Sequence, residues 1–162
     1  MALYSFFTAT WDAAVHQIAL ADGPSLSIQE GAPRHDDRLH DQTGLRVWGA
    51  SLVLGRWVAS EMRAEVEGNV VCELGAGCGV VGLAAAQSGA QRVLFTDLHP
   101  PTLDNLRHNV QANRAAAPGC GLEVCELDWS TKAPPAPVRV VVGADLIYDE
   151  ETPAVVARLV HL

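Results

Sequence analysis

The stretch Val70-Val71-Cys72-Glu73-Leu74-Gly75-Ala76-Gly77-Cys78-Gly79 constrains the fold of this chain more than any other. Its first five residues are rich in β-branched and apolar side chains and read as a short strand. They run directly into three glycines at alternate positions, which let a backbone turn tightly and let a ligand approach where a Cβ would clash. Residues 80–87 then read as a helix of small and apolar residues, stopped by Gly89. A buried strand that hands over to a helix through such a loop belongs to a parallel α/β sheet.

Further along, the alternation repeats. Arg92-Val93-Leu94-Phe95-Thr96-Asp97 is a second strand. Pro100-Pro101 opens another helix, with Thr102 the expected N-cap and Leu103, Leu106 and Val110 its apolar stripe. Residues 122–127 form a third strand and 138–145 a fourth, the most apolar of the set; Thr152-Pro153 starts a last helix. Upstream, Trp48, Leu52, Val58 and Met62 recur at near-helical spacing, which predicts a helix over 48–66. Residues 15–20 and 26–30 flank Asp22-Gly23-Pro24-Ser25 and read as a β-hairpin.

The expected architecture is therefore α/β: a mostly parallel sheet covered on both faces, preceded by an N-terminal hairpin. Residues 1–44 would be the hairpin and its loop extension, and 45–162 the sheet domain. The sequence ends inside the last helix, after a fourth strand, where a doubly wound sheet usually continues. On this reading it is truncated after the fourth strand, the front part of a longer domain whose C-terminal strands are absent, with an uncovered edge on that strand.

Composition narrows the function classes. Hydrophobic residues make up 49% and charged residues 19%, which supports a packed core and excludes a disordered tail. Eleven basic residues against 19 acidic ones give a net charge of −8, and no basic stripe suited to phosphates is visible, so nucleic acid is not an expected partner. No long apolar run suggests a membrane span. No Lys or Arg precedes Arg34 and Asp12 interrupts the early apolar stretch, so no secretory leader is expected. The cysteines, Cys72, Cys78, Cys120 and Cys125, do not match zinc spacings, and reduced thiols in the cytoplasm, with the nucleus as alternative, are the expectation. Residues 34–41 hold two His and three Asp but read as an exposed loop of mixed charge rather than a metal site. Cys78 lies at a helix N-terminus, where a thiol pKa can drop, yet nothing nearby reads as its base.

Eighteen residues after Gly79, Asp97 ends the second strand, where a carboxylate can accept both ribose hydroxyls of a nucleoside. A dinucleotide fingerprint, G-x-G-x-x-G, would need its third glycine at position 80, which is Val80. The spacing here is G-x-G-x-G with an acid, Glu73, two residues ahead. A nicotinamide oxidoreductase stays open as an alternative on the residues alone.

That pattern resembles class I S-adenosylmethionine-dependent methyltransferases. Three segments sharpen the likeness: Thr43-Gly44-Leu45-Arg46-Val47-Trp48, Leu127-Asp128-Trp129 and Gly143-Ala144-Asp145-Leu146-Ile147-Tyr148. With Asn109-Val110-Gln111-Ala112-Asn113, they are similar to the seven-β-strand protein-lysine methyltransferases, methyltransferase family 16 or the methyltransferase-like 21 group. The D-x-x-Y signature, Asp145 and Tyr148, is the most diagnostic part. The resemblance implies a Rossmann-like fold, S-adenosylmethionine as cofactor and a protein substrate carrying a lysine, with the chain acting as a monomer. It implies that Trp48 contacts the cofactor from a helix start. Gly75, Ala76 and Gly77 would line its methionine part, with Glu73 in the same cofactor-binding group. Asp97 would hold the ribose, Asp128 and Trp129 the adenine, and Ala144 would touch the cofactor from the fourth strand. Asp145 and Tyr148 would face the methyl acceptor as the catalytic pair. Another acceptor (a protein histidine or arginine, or a small molecule) and a catalytically incomplete binding module remain alternatives.

Overall fold

The structure, a computed structural model, describes residues 14–21, 23–32, 43–129, 131–147, 153–154 and 156–157. Two short strands, β1 (Val15–Ile18) and β2 (Leu26–Gln29), pair antiparallel as a hairpin, with Val15 opposite Gln29. Helices α1 (Gly49–Ser60) and α2 (Arg63–Val66) follow. The chain then alternates: β3 (Val70–Glu73), α3 (Val80–Gln87), β4 (Arg92–Asp97), α4 (Pro100–Asn113), β5 (Gly121–Glu126) and β6 (Val140–Val142).

Strands β3 to β6 form one parallel sheet in the order β5-β4-β3-β6. From β3 the chain steps outward through β4 to β5, then returns to lay β6 on the opposite side of β3. This reversal leaves a crevice between the carboxyl ends of β3 and β6, the place where open α/β sheets bind their ligands. Both Gly75 and Ala144 lie just past those strand ends.

One apolar cluster holds the helical layer to the sheet. It joins Ile18, Leu26 and Ile28 of the hairpin, Val58 of α1, Val80 and Leu83 of α3, Leu106 and Val110 of α4, and the sheet residues Val71, Val93 and Phe95. Helix α3 is buried along nearly its whole length, because it lies between the sheet and α1; a helix apolar all round needs such a position. On the other face, Cys72, Leu74, Leu94 and Leu127 make a smaller cluster flanked by Trp129, Val138 and Leu146. The flanking residues Trp129, Val138 and Leu146 lie in irregular chain.

Strand ends shift by one to three residues from the sequence reading, and three differences have a clear physical cause. The helix expected over 48–66 breaks into α1 and α2, because the Trp57 carbonyl receives the amides of both Glu61 and Met62 (2.9 and 3.1 Å) and ends the first helix there. Thr102 is not the N-cap of α4. His99 is, in an extended conformation, because the residue before a proline is driven out of the helical region and Pro100 suits the first helical position. Strand β6 stops at Val142, well short of 145, since Asp145 turns to a positive φ and Leu146 folds back over Gly143. Residues 153, 154, 156 and 157 are helical, in line with the start expected at Thr152-Pro153.

Candidate functional site

The glycine loop takes its shape from backbone conformations that ordinary residues rarely adopt. Gly75 has φ 56° and Gly77 φ 52°, both left-handed. A Cβ on Gly77 would stand 3.2 Å from the Gly44 carbonyl oxygen, so the 43–48 segment packs tightly against the loop. Hydrogen bonds then pin the loop to β4 and to itself: the Ala76 amide donates to Thr96 O (2.9 Å) and the Gly79 amide to Ala76 O (2.7 Å).

Two carboxylates flank this loop and behave differently. Asp97, buried at the end of β4, accepts the Gly77 amide on Oδ2 (3.0 Å) and the Leu98 amide on Oδ1 (2.8 Å). Each oxygen keeps acceptor capacity beyond that one bond. Glu73 is buried more deeply, at the end of β3, and accepts the Gly82 amide on Oε2 (2.9 Å). The N-cap of α3 is Gly79, which has no side chain to offer, so Glu73 supplies the cap from the neighbouring strand, on the amides of Val81 and Gly82. Burial pushes the Glu73 carboxyl up to about 8; the two amides pull it down and the nearby Asp97 charge pushes it further up. The structure thus places Glu73 behind the loop, holding the helix, and Asp97 against the loop itself.

The crevice between β3 and β6 is walled by residues from two other segments. A Cβ on Gly75 would meet Leu146 Cδ2 at 2.8 Å and the Trp129 ring carbons Cζ2 and Cη2 at 3.0 and 3.1 Å. The indole of Trp129 and the tip of Leu146 therefore converge on Gly75. Gly143 lies equally close beneath Leu146, and Ala144 packs half-buried at the rim of the main core. Asp145 is exposed with φ 60°, the one described non-glycine residue with positive φ. Asp tolerates this region better than most residues, yet the conformation is uncommon and tends to cluster at functional sites. Asp128 is half-buried, and its carbonyl receives the amides of Thr131 (3.2 Å) and Lys132 (3.0 Å).

Trp48 is the N-cap residue of α1, and its side-chain Nε1–H donates to Thr43 O (2.9 Å) while half of its surface stays exposed. The structure thus brings Gly75, Gly77, Asp97, Trp129, Ala144 and Asp145 to one end of the sheet, with the Trp48 segment alongside. Tyr148 and the 34–41 loop lie outside the described residues. Burial pushes the Cys78 thiol up to about 12, against the drop that a helix N-terminus can cause, so it carries no nucleophile at neutral pH. Among the described residues no His, Cys, Asp and Glu side chains gather as a metal ion would require.

Two supports escaped the sequence reading. Glu30, just past β2, accepts Arg46 Nη1 (2.6 Å) and the Val47 amide (2.9 Å) and so clamps the 43–48 segment to the hairpin. Its burial alone would raise its pKa, but the Val47 amide, Arg46 and His16 outweigh that and hold the carboxyl below its usual value. Asn105, Asn109 and Asn113 form a buried stripe on α4 whose side-chain amides bond the backbone of β2. The i, i+4, i+8 spacing of three asparagines was the available signal.

A loop that excludes side chains, an indole face and a buried carboxylate with spare acceptor capacity, all at the switch point, suit a nucleoside carrying an amino-acid tail. The family described as lysine methyltransferase matches residues 25–162. The chain belongs to the lysine methyltransferase family. EEF1A lysine methyltransferase 3 of Mus musculus is 40% identical over 120 residues, covering 72% of this chain and 50% of that protein. Protein N-lysine methyltransferase METTL21A of Danio rerio is 39% identical over 121 residues, covering 72% of this chain and 54% of that protein. Protein-lysine N-methyltransferase EEF2KMT of Mus musculus is 31% identical over 156 residues, or 88% of this chain and 45% of that protein. This member of the lysine methyltransferase family thus spans about half the length of the curated relatives it matches. Among solved structures, magnesium protoporphyrin IX methyltransferase from Synechocystis PCC 6803, solved with bound SAH, superposes with a TM-score of 0.55 at 23% identity, over 76% of this chain and 51% of that one. The fold is that of the class I S-adenosylmethionine-dependent methyltransferases.

Proposed function

We propose that this chain is the cofactor-binding part of an S-adenosylmethionine-dependent protein-lysine N-methyltransferase. The observation that carries the reading is the buried Asp97, bonded to the Gly77 amide beside the β3/β6 crevice, in a chain of the lysine methyltransferase family. When bound, S-adenosylmethionine supplies an electrophilic methyl group on a sulfonium.

The residues divide the remaining work. Asp97 turns its free acceptor capacity toward the ribose hydroxyls, its own orientation fixed by two backbone amides. Trp129 offers a flat apolar face to the adenine, with Asp128 beside it. Gly75, Ala76 and Gly77 leave room for the methionine part, and Ala144 and Trp48 close the sides. Asp145 faces the acceptor. Because a neighbouring carboxylate raises an amine's pKa, Asp145 orients the incoming lysine by accepting an N–H bond; desolvation lowers that pKa and leaves the amine neutral for attack. Tyr148, which lies outside the described residues, is proposed as the second member of the catalytic pair.

The substrate is a protein lysine, and the likeness to EEF1A lysine methyltransferase 3 makes elongation factor 1A the first to try. A net charge of −8 favours a basic protein surface over nucleic acid. Among the described residues no helix is long and apolar enough to cross a membrane. Four unpaired thiols support a reducing compartment, the cytoplasm.

The test incubates the full-length protein with S-adenosylmethionine and elongation factor 1A, then other candidate proteins, and maps the modified residue by mass spectrometry. The reading expects one-methyl increments on a lysine, abolished by Asp145→Ala while cofactor binding persists. Methyl groups on histidine, arginine or a metabolite would refute the lysine assignment. Loss of cofactor binding in Asp145→Ala with an unchanged turnover rate would refute the role given to Asp145.

A further inference from the structure

The asparagine stripe on α4 does more than fill space. Asn109 is fully buried, and its one side-chain amide makes three bonds. Its Oδ1 accepts the Gln29 amide (2.8 Å), and its Nδ2 donates both to Gln29 O (2.9 Å) and to Cys78 O (3.0 Å). Gln29 ends β2 of the hairpin; Cys78 lies between Gly77 and Gly79 in the glycine loop. Two carbonyls face the nitrogen and one N–H faces the oxygen, so a single orientation satisfies all three, and a flipped amide would set oxygen against both carbonyls.

Asn113, one helical turn on, makes the matching pair to the hairpin: Oδ1 accepts the Ser27 amide (2.9 Å) and Nδ2 donates to Ser27 O (2.8 Å). Its second N–H goes to Asn109 O of its own helix (2.7 Å). The two residues dock β2 alike, and only Asn109 also reaches the glycine loop. The loop is thereby held from two sides, by Asp97 on the Gly77 amide and by Asn109 on the Cys78 carbonyl.

We propose that Asn109 is a positioning residue for the cofactor seat, coupling the N-terminal hairpin to the glycine loop through the Cys78 carbonyl. The coupling rests on the reading of this loop as the cofactor site. It implies that occupancy of the seat tightens the hairpin at Gln29 and that loosening the hairpin there weakens the seat, since coupling between sites is reciprocal.

The experiment compares Asn109→Ala with Asn113→Ala in the full-length protein, measuring thermal unfolding and the calorimetric affinity for S-adenosylhomocysteine. Each substitution removes a side chain of the same size and the same two bonds to β2, so both should lower the melting temperature comparably. Asn109→Ala should in addition weaken S-adenosylhomocysteine by about tenfold, and Asn113→Ala by less than about twofold. Equal weakening in both, or an unchanged affinity in Asn109→Ala, overturns the proposal. Should either variant fail to fold, amide hydrogen exchange on the wild type decides. Adding S-adenosylhomocysteine should slow exchange at the Gln29 amide and leave the Ser27 amide unchanged; no slowing at Gln29, or equal slowing at both, overturns it. A wild type that binds no S-adenosylhomocysteine refutes the cofactor reading and the coupling with it, whereas normal wild-type binding with the wrong variant pattern refutes the coupling alone.

Discussion

Replacing Gly82 by Ala sets two effects of known size against each other. Within a helix the substitution should stabilise by about 1 kcal/mol through propensity. Gly82 sits in α3, however, where a Cβ would press into the Phe95 ring at Cε1 and stand 2.5 Å from Glu73 Oε2. Phe95 is fully buried and Glu73 nearly so, so neither can swing away into solvent. Overpacking a well-filled core costs about 1–3 kcal/mol. Displacing Glu73 from the Gly82 amide leaves a buried donor unpaired at a further cost of about 1–3 kcal/mol. The net expectation is a loss of about 3 kcal/mol, or roughly 6–12 °C in Tm for a chain of this size. Gly49→Ala is the control: it opens α1, and nothing lies within 4 Å of its would-be Cβ. That variant should be neutral or stabilised by up to about 1 kcal/mol. Thermal unfolding followed by circular dichroism, with urea titration alongside, measures both. A Gly82→Ala protein as stable as the wild type would refute the claim that Glu73 and Phe95 close on this position.

Glu73 has its pKa raised, so the stability it contributes is whole below 4.5 and is lost as the pH rises through about 8. Urea titrations should show Glu73→Gln gaining on the wild type steadily across that window, and a constant gap between the two would contradict the raised pKa. Asp145→Gly relieves the positive φ and should stabilise the fold by up to about 1 kcal/mol while abolishing methyl transfer; a destabilised variant would show that the side chain holds the turn in place. Trp129→Ala removes the ring from above Gly75 and should weaken S-adenosylhomocysteine by about tenfold in calorimetry, against no change if the indole only packs on the loop.

Much of this architecture could be read locally. Residues 80–87 and 92–97 fall where the sequence puts α3 and β4, because a strand flowing into glycines and then into a small-residue helix has few other solutions. The likeness of residues 43–48, 127–129 and 143–148 to known methyltransferases also pointed to one end of the sheet, and the structure gathers the described ones there. What escaped was set by distant partners. Glu73 reads as part of a strand in sequence, grouped with the cofactor loop by resemblance, but its carboxyl caps a helix that begins seven residues on, a contact only the packed β3–α3 pair can make. Thr102 resembles an N-cap until the two prolines before it claim the first helical turn. Residues 109–113 of α4 entered the sequence reading only through the family likeness, whereas the asparagines at 105, 109 and 113 are each buried against a hairpin some 76–86 residues earlier. Polar residues at helical spacing carry no mark of what will cover them.

What Asp97 recognises is the central question. Calorimetry with S-adenosylhomocysteine and with NAD, on the wild type and on Asp97→Ala, addresses it in one set of titrations. Wild-type protein should bind S-adenosylhomocysteine and ignore NAD, and Asp97→Ala should lose at least about tenfold in affinity, as expected when a buried acceptor for two hydroxyls is removed. Binding of NAD, or undiminished binding of S-adenosylhomocysteine by Asp97→Ala, would contradict the ribose-holding role of Asp97.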